Sequence, residues 1–236
     1  MYDFVAVGDV MLDVHVPAAE GRVHADARVV VGGSAMNAAL AAAELGARAC
    51  VVGCVGDDVA GRAVREKLGI DARFELGERT GTAVYVGDSV VADRGANAGF
   101  VPRDVPAAHV TLVSGYLDTE GIHAAVALAS GLVAVDLQGR AHDLPHVDVL
   151  FGEGDADVVV LTRGAGEAEA RRGDEVARVR PPSVPEPPPG AGDRFAAAFL
   201  LALTAGRALQ DCLEHAIAFA SRSPHRPDTC LAPEWH

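Results

Sequence analysis

The sequence predicts an α/β fold: a main sheet of buried strands alternating with helices, and a small second sheet beside it. Three observations support this. Short β-branched apolar runs bounded by glycine recur along the chain, helical segments fall between them, and two separate stretches alternate apolar with polar residues. The first kind of run suits strands covered on both faces, and the alternating kind suits strands exposed on one.

The first run is Phe4-Val5-Ala6-Val7, closed by Gly8, so Asp9 and Asp13 fall at or just past the carboxyl end of a buried strand. That edge is where open α/β sheets bind ligands. Residues 14–31 alternate in polarity up to Gly32-Gly33, an Ala- and Leu-rich helix is expected over 34–45 with Gly46 as its stop, and Cys50-Val51-Val52-Gly53 opens the next strand. A helix over 57–68 ends at Gly69. The stretch 74–93 then alternates again, with Thr82, Val84 and Val86 on one side and Ala83 and Tyr85 on the other. Two such half-exposed segments imply a small lid. Apolar runs at 110–113, 132–135, 147–151 and 158–161, with one helix over 121–130, continue the βαβ rhythm. Six prolines within 181–189 hold the chain extended. Helices are expected from Arg194 to about 203 and from Leu209 to about 221, and the chain reads as irregular from Pro224.

With 236 residues, half of them hydrophobic, the chain has material for one sizeable domain. A formal charge of -13 argues against a nucleic-acid or anionic-membrane surface, and no apolar run approaches membrane-spanning length. Lys67 is the only lysine, which rules out a Walker-type phosphate loop. Four cysteines and an N-terminus without secretory character suggest a cytoplasmic protein with reduced thiols. Cys50 and Cys54 lack histidines at ligand spacing and read as packing, while Pro145 keeps His142 and His146 off one helical face.

Gly190-Ala191-Gly192-Asp193 precedes a long apolar helix. Small residues there let a phosphate approach the unpaired N–H groups at the positive end of the helix dipole, which makes an anion hole. A carboxylate at its edge repels phosphate, so Asp193 reads as a base for a hydroxyl nucleophile, or else as a helix cap. These four residues do not choose between the two. A second motif, Gly32-Gly33-Ser34-Ala35-Met36-Asn37-Ala38-Ala39, continues through Leu45-Gly46 to Val52-Gly53-Cys54-Val55-Gly56-Asp57-Asp58-Val59-Ala60-Gly61.

Together these segments resemble the two signature regions of the ribokinase-like (PfkB) carbohydrate kinases, and the resemblance runs from Val5 to about Ala220. It implies a three-layer α/β/α fold with a mainly parallel sheet and a small β lid, as a single domain over 1–236 with lid segments at about 14–31 and 72–97. It implies ATP and Mg2+ as cofactors, a small sugar or nucleoside as acceptor, and pairing of two copies through the lid. Asp193 would be the catalytic base and Gly190, Ala191 and Gly192 the anion hole. Asp13, Gly32, Gly33 and Asn37, with Asn97 from the lid side, would hold the acceptor. Thr162, Gly164 and Gly166 would lie near the nucleotide phosphates, and the segment from Ala216 to Ser221 would wall the adenine.

The chain departs from the family pattern in two places. Pro187-Pro188-Pro189 stands where the family has Asp-Thr-x before the glycine loop, and prolines supply no N–H. Between the runs at 147–151 and 158–161 there is no room for the Asn-x-x-Glu motif and its helix, which leaves Glu153 as the nearest carboxylate to place magnesium, through water. A rival reading follows, in which the chain binds a sugar or nucleoside without efficient transfer. A dinucleotide-dependent dehydrogenase is disfavoured, because the first βα turn lacks Gly-x-Gly-x-x-Gly.

Overall fold

A computed structural model describes residues 1–222 except 22–23, 25, 67, 88, 165 and 182–189. Most of the expected proline run, including Pro187-Pro188-Pro189, lies outside the described residues, as do Cys230 and the tail expected to be irregular from Pro224. In chain order the first half comprises β1 (Tyr2–Val7), β2 (Met11–Val16), β3 (Arg28–Gly32), α1 (Ser34–Glu44), β4 (Ala49–Gly56), α2 (Val59–Glu66), β5 (Asp71–Gly77), β6 (Gly81–Val86) and β7 (Ser89–Asp93). After a 3₁₀ turn at Gly95–Asn97 come β8 (Ala108–Ser114), α3 (Thr119–Leu128), β9 (Leu132–Asp136), β10 (Val149–Phe151), β11 (Val158–Leu161), β12 (Ala168–Arg172), β13 (Glu175–Val179), α4 (Ala191–Thr204) and α5 (Leu209–Ala220).

The main sheet has the order β13-β12-β11-β10-β9-β8-β1-β4-β5. From β5 to β11 every neighbouring pair is parallel, and the β12–β13 hairpin adds an antiparallel edge. Successive side chains of β1 enter opposite cores, as a period of two requires. Phe4 and Ala6 pack with Met36 of α1, Val64 of α2, Phe199 of α4 and Leu213 of α5, whereas Val5 and Val7 pack with Ile122 and Ala125 of α3. All eight residues of β4 are buried, consistent with a strand covered on both faces. This is the three-layer arrangement with helices on both sides of the sheet.

The lid is a separate sheet of order β3-β2-β6-β7. Its second segment is shorter than the expected 72–97, because β5 pairs in parallel with β4 throughout Cys50–Gly56 and belongs to the main sheet. The half-buried alternation of β5 reflects an edge position there. The β12–β13 hairpin was not anticipated. Its signal is Gly173-Asp174 between two charged strands, and Arg171 joins Arg178 in holding Glu169, with Arg178 Nε donating to Glu169 at 2.6 Å.

Two features of this fold bear on the site. First, β10 and β11 are parallel neighbours joined only by residues 152–157, where a crossover of a dozen or more residues is usual. The short loop starts close against the turn after β9, where a Cβ added to Gly152 would meet Leu137 at 2.8 Å. Second, Arg194, buried near the start of α4, donates from Nη1 and Nη2 to Glu44 at the end of α1 at 2.6 and 3.1 Å, and its guanidinium lies 4.0 Å over the Phe219 ring of α5. One cation thus ties three helices together. Replacing Glu44 with Ala leaves that guanidinium buried without its carboxylate, held only by the Phe219 ring and carbonyl, and is expected to lower stability by about 3 kcal/mol in urea denaturation.

Candidate active site

The site lies at the carboxyl edge of the main sheet, under the lid. A cavity of about 580 Å³ is bounded by Asp9, Asp13, Gly33, Ser34, Asn37 and Asp193, with Ala83, Tyr85, Val90 and Ala92 contributed by the lid. Gly33 must be glycine: its φ is 95°, and a Cβ would fall 2.3 Å from the Asp9 carbonyl oxygen. This close approach starts α1 directly against the end of β1. Gly32 does not line the cavity. It makes room behind Asp13, whose Oδ2 would lie 2.0 Å from a Cβ at that position.

Asp193 is the third residue of α4 and is 8% exposed. Its helix begins at Gly190, in the left-handed region with φ 77°, and carries no side-chain cap. The carboxylate instead accepts from three distant donors. Ser34 Oγ and Gln138 Nε2 reach Oδ1 at 2.8 and 3.2 Å, and Asn37 Nδ2 reaches Oδ2 at 3.0 Å. The first internal bond of the helix is Arg194 N–H to Gly190 carbonyl, so the N–H groups before it face outward as the anion-hole reading requires. Nothing lies within 4 Å of a Cβ added at Gly192, which leaves that approach open.

Gly192 also borders two further cavities. One of about 160 Å³ is lined by Thr162, Gly164, Gly166, Ala191, Ile217, Ala220 and Ser221. Ala216, expected beside the adenine, is buried in the core instead. The other, of about 850 Å³, runs along the short 152–157 loop past Glu153, Asp155, Thr162 and Arg163 and shares Gln138 and Arg140 with the first cavity. Three cavities therefore meet at the amino end of α4. Glu153 is exposed, and among the described residues no group of three or more His, Cys, Asp or Glu could by itself hold a metal ion.

Two expected ligand contacts fall outside the cavity, Gly32 as described above and Asn97. Asn97 is fully buried and does not line the cavity. Its Oδ1 accepts from Val10 N–H at 3.1 Å, and its Nδ2 donates to the carbonyls of Val10 and Arg94, each at 3.0 Å. The side chain staples the segment after β1 to the lid connection, which explains an asparagine there without a ligand.

The fold also brings here Asp9, which the sequence placed at the strand edge without a specific role, and two residues that sequence reasoning passed over, Asp136 and Gln138. Asp9 is 4% exposed, and its Oδ1 has no hydrogen-bond partner. Burial pushes its pKa up to about 6 against the opposing pull of Arg94. Asp136, at the carboxyl end of β9, is pushed to about 7 by burial and by the neighbouring Asp193 charge. Asp193 itself is raised to about 6 by burial, which outweighs its three hydrogen bonds. Gln138 Nε2 also donates to Asp136 Oδ2 at 2.8 Å, so one amide joins both carboxyls. Asp136 and Gln138 follow a strand and precede Gly139, the same strand-end signal that singled out Asp9 and Asp13.

With this geometry established, the chain belongs to the pfkB family of carbohydrate kinases, whose model matches residues 1–132 and 136–235. No curated protein sequence matches it. Among solved structures it resembles the Arabidopsis thaliana ribokinase complexed with ribose and ATP, at 21% identity and TM-score 0.74, over 93% of this chain and 91% of that one. The Sinorhizobium meliloti adenosine kinase (22% identity, TM-score 0.74, 93% and 92% covered) and the Thermotoga maritima ribokinase (19%, 0.76, 94% and 92%) are similar in the same way. At these identities the likeness establishes the ribokinase-like fold.

The raised carboxyls make stability depend on pH. A folded-state pKa of about 7 for Asp136, above the ordinary 3.8, means that the folded protein holds a proton the unfolded chain releases between those values. Stability conferred by that proton is present at low pH and is lost as pH rises through about 7. Asp136→Asn should therefore raise the melting temperature relative to wild type at pH 8 and change it little at pH 4.5, as followed by scanning calorimetry.

Proposed function

We propose that this protein is an ATP-dependent kinase that transfers a phosphoryl group to a hydroxyl of a small sugar or sugar-like acceptor, with Asp193 as general base. The observation that carries this reading is the position of Asp193. Its carboxylate is buried beside the amino end of α4, where three cavities converge and a phosphate would meet unpaired N–H groups. A pKa near 6 leaves it ionised at neutral pH yet basic enough to accept a proton as the hydroxyl attacks.

In this reading the acceptor occupies the 580 Å³ cavity, with Asp9, Asp13 and Asn37 as its polar wall. Carboxylates accept from sugar hydroxyls, and the apolar lid side chains cover the ring. Asp193 removes the proton from the attacking hydroxyl as its oxygen bonds to the γ-phosphorus and the bond to the ADP oxygen breaks. The N–H groups around Gly190, Ala191 and Gly192 stabilise charge on the transferring group. The 160 Å³ cavity beside Thr162, Gly164 and Gly166 suits the nucleotide base, and ATP supplies the phosphoryl group. Mg2+ commonly draws on one or two carboxylates together with phosphates and water, a role that Glu153 and Asp155 on the large cavity could fill.

The short 152–157 connection favours a second reading, in which the acceptor binds but transfer is weak, because the Asn-x-x-Glu motif and helix that the resemblance implies there are missing. Localisation in the cytoplasm is supported by Cys50, Cys54 and Cys212, all free and buried. No described helix is long and apolar enough to cross a membrane. Pairing through the lid is supported by its outer face. The register that turns Ala83 and Tyr85 toward the cavity aligns Val14, Val84 and Val91 on the opposite side, with Val91 73% exposed.

Two measurements test these proposals. Asp193→Asn should lower turnover about 10²- to 10⁴-fold in a protein that stays folded, since the change removes a buried charge and keeps the shape while one side of the site loses its acceptor. Wild type that binds an acceptor and transfers nothing would support the binding-only reading, and equal transfer by both proteins would remove Asp193 as the base. For the lid, light scattering should report a dimer for wild type and a monomer for Val91→Glu. A monomeric wild type would refute the pairing.

A further inference from the structure

We infer that Gln138 is a positioning residue for the catalytic base: it orients the Asp193 carboxylate and couples it to a second, half-buried carboxyl, Asp136. The inference rests on the kinase reading and goes beyond it by assigning a role to a residue that transfers no proton itself. Three observations carry it. Gln138 is the one residue other than glycine with positive φ among the described residues, at 52°. A side chain held in the left-handed region strains the backbone, and such strain persists where the surroundings require that residue. The turn that holds it there is pinned by Gln138 N–H donating to Asp136 Oδ1 at 3.1 Å and by Arg140 N–H donating to the Leu137 carbonyl at 2.9 Å.

The side-chain contacts supply the second observation. Gln138 Nε2 lies 2.8 Å from Asp136 Oδ2, 3.1 Å from Ser34 Oγ and 3.2 Å from Asp193 Oδ1. Two carboxylates around one end of an amide require that end to be the NH2 group, so its orientation follows from chemistry. Two hydrogens serve three acceptors, and Ser34, which gives its own hydrogen to Asp193 Oδ1, can only accept from Gln138. The amide therefore links both carboxyls and the hydroxyl in one network, and a proton on either carboxyl changes what the other receives.

The third observation is the charge around the network. Facing Asp193 are Ser34 and Asn37 from α1 and Asp13 from β2, with Asp136 and Gln138 after β9, while Asp9, Arg94, Tyr116 and Arg140 share the cavity. The donors from Asn37, Ser34 and Gln138 each hold the Asp193 pKa down against burial. Removing the Gln138 amide should therefore raise the Asp193 pKa and free its carboxylate to turn.

The test compares wild type with Gln138→Gly, which relieves the left-handed backbone, and with Gln138→Asn, which tolerates that conformation and keeps an amide. The first readout needs no activity: carbon NMR titration of Asp193 in the ligand-free protein. Its midpoint should move up in Gln138→Gly and move less in Gln138→Asn, with melting temperatures no lower than wild type for the glycine variant. The second readout is the pH profile of phosphoryl transfer. In Gln138→Gly, kcat should fall roughly 10- to 100-fold, as expected for a displaced reacting group, with its acid midpoint shifted up and the acceptor KM retained. A raised KM with unchanged kcat would make Gln138 an acceptor contact and overturn the inference. An unmoved Asp193 titration in a folded variant would overturn it too, with Gln138→Asn deciding if the glycine variant does not fold. Absence of transfer to any bound acceptor by wild type would overturn the kinase reading alone, because the titration still decides the role of Gln138.

Discussion

The site depends on one constraint: the Asp193 carboxylate is out of water and must be satisfied by donors from elsewhere in the chain. A buried carboxylate without partners is costly, so its three hydrogen bonds fix how α1, α4 and the turn after β9 meet. Gly33 lets α1 begin against the end of β1, which brings Ser34 and Asn37 within reach. One residue beyond Asp193, Arg194 fastens α4 to α1 and α5 by an ion pair and a ring contact. The polar cluster and the helix clamp are adjacent in sequence, so α4 cannot shift without breaking both.

The electrostatics point the same way. In a chain of net charge -13, Asp9, Asp136 and Asp193 are all raised well above the ordinary carboxyl range, and burial is the largest cause in each case. Three carboxyls held against their preferred protonation weaken the folded state at neutral pH. Such an arrangement is typical of sites where function outweighs stability. Asp9, at the wall of the same cavity, adds an Oδ1 that has no hydrogen bond and faces Arg94 Nη2 at 3.8 Å.

The two halves of the site are built differently. Under the lid, strand ends, a helix start and a second sheet converge on a cavity of about 580 Å³ with several polar groups. On the other side, a six-residue loop replaces the usual crossover between β10 and β11 and borders a cavity of about 850 Å³. Family membership covers both halves, while the local geometry distinguishes them.

Much of this was legible in the sequence. The buried runs, the glycine stops and the helix after Gly190-Ala191-Gly192-Asp193 are local signals, and local signals fix the element types, the strand-end position of Asp13 and the place of Asp193 at a helix start. The sequence was less informative wherever the outcome depends on which segments become neighbours. The alternation of β5 looked like lid because an edge strand of the main sheet is also half-exposed. The family resemblance offered Asn97 as a ligand contact, and nothing local to a polar residue between strands reveals which backbone it will meet instead. Gln138 and Arg194 acquire their partners across 55, 104 and 150 positions, in the pairs Gln138–Asp193, Gln138–Ser34 and Arg194–Glu44. Hydrogen bonds and ion pairs over such separations leave no periodicity to read, and only the folding of the parallel sheet, which stacks distant strand ends along one edge, decided them.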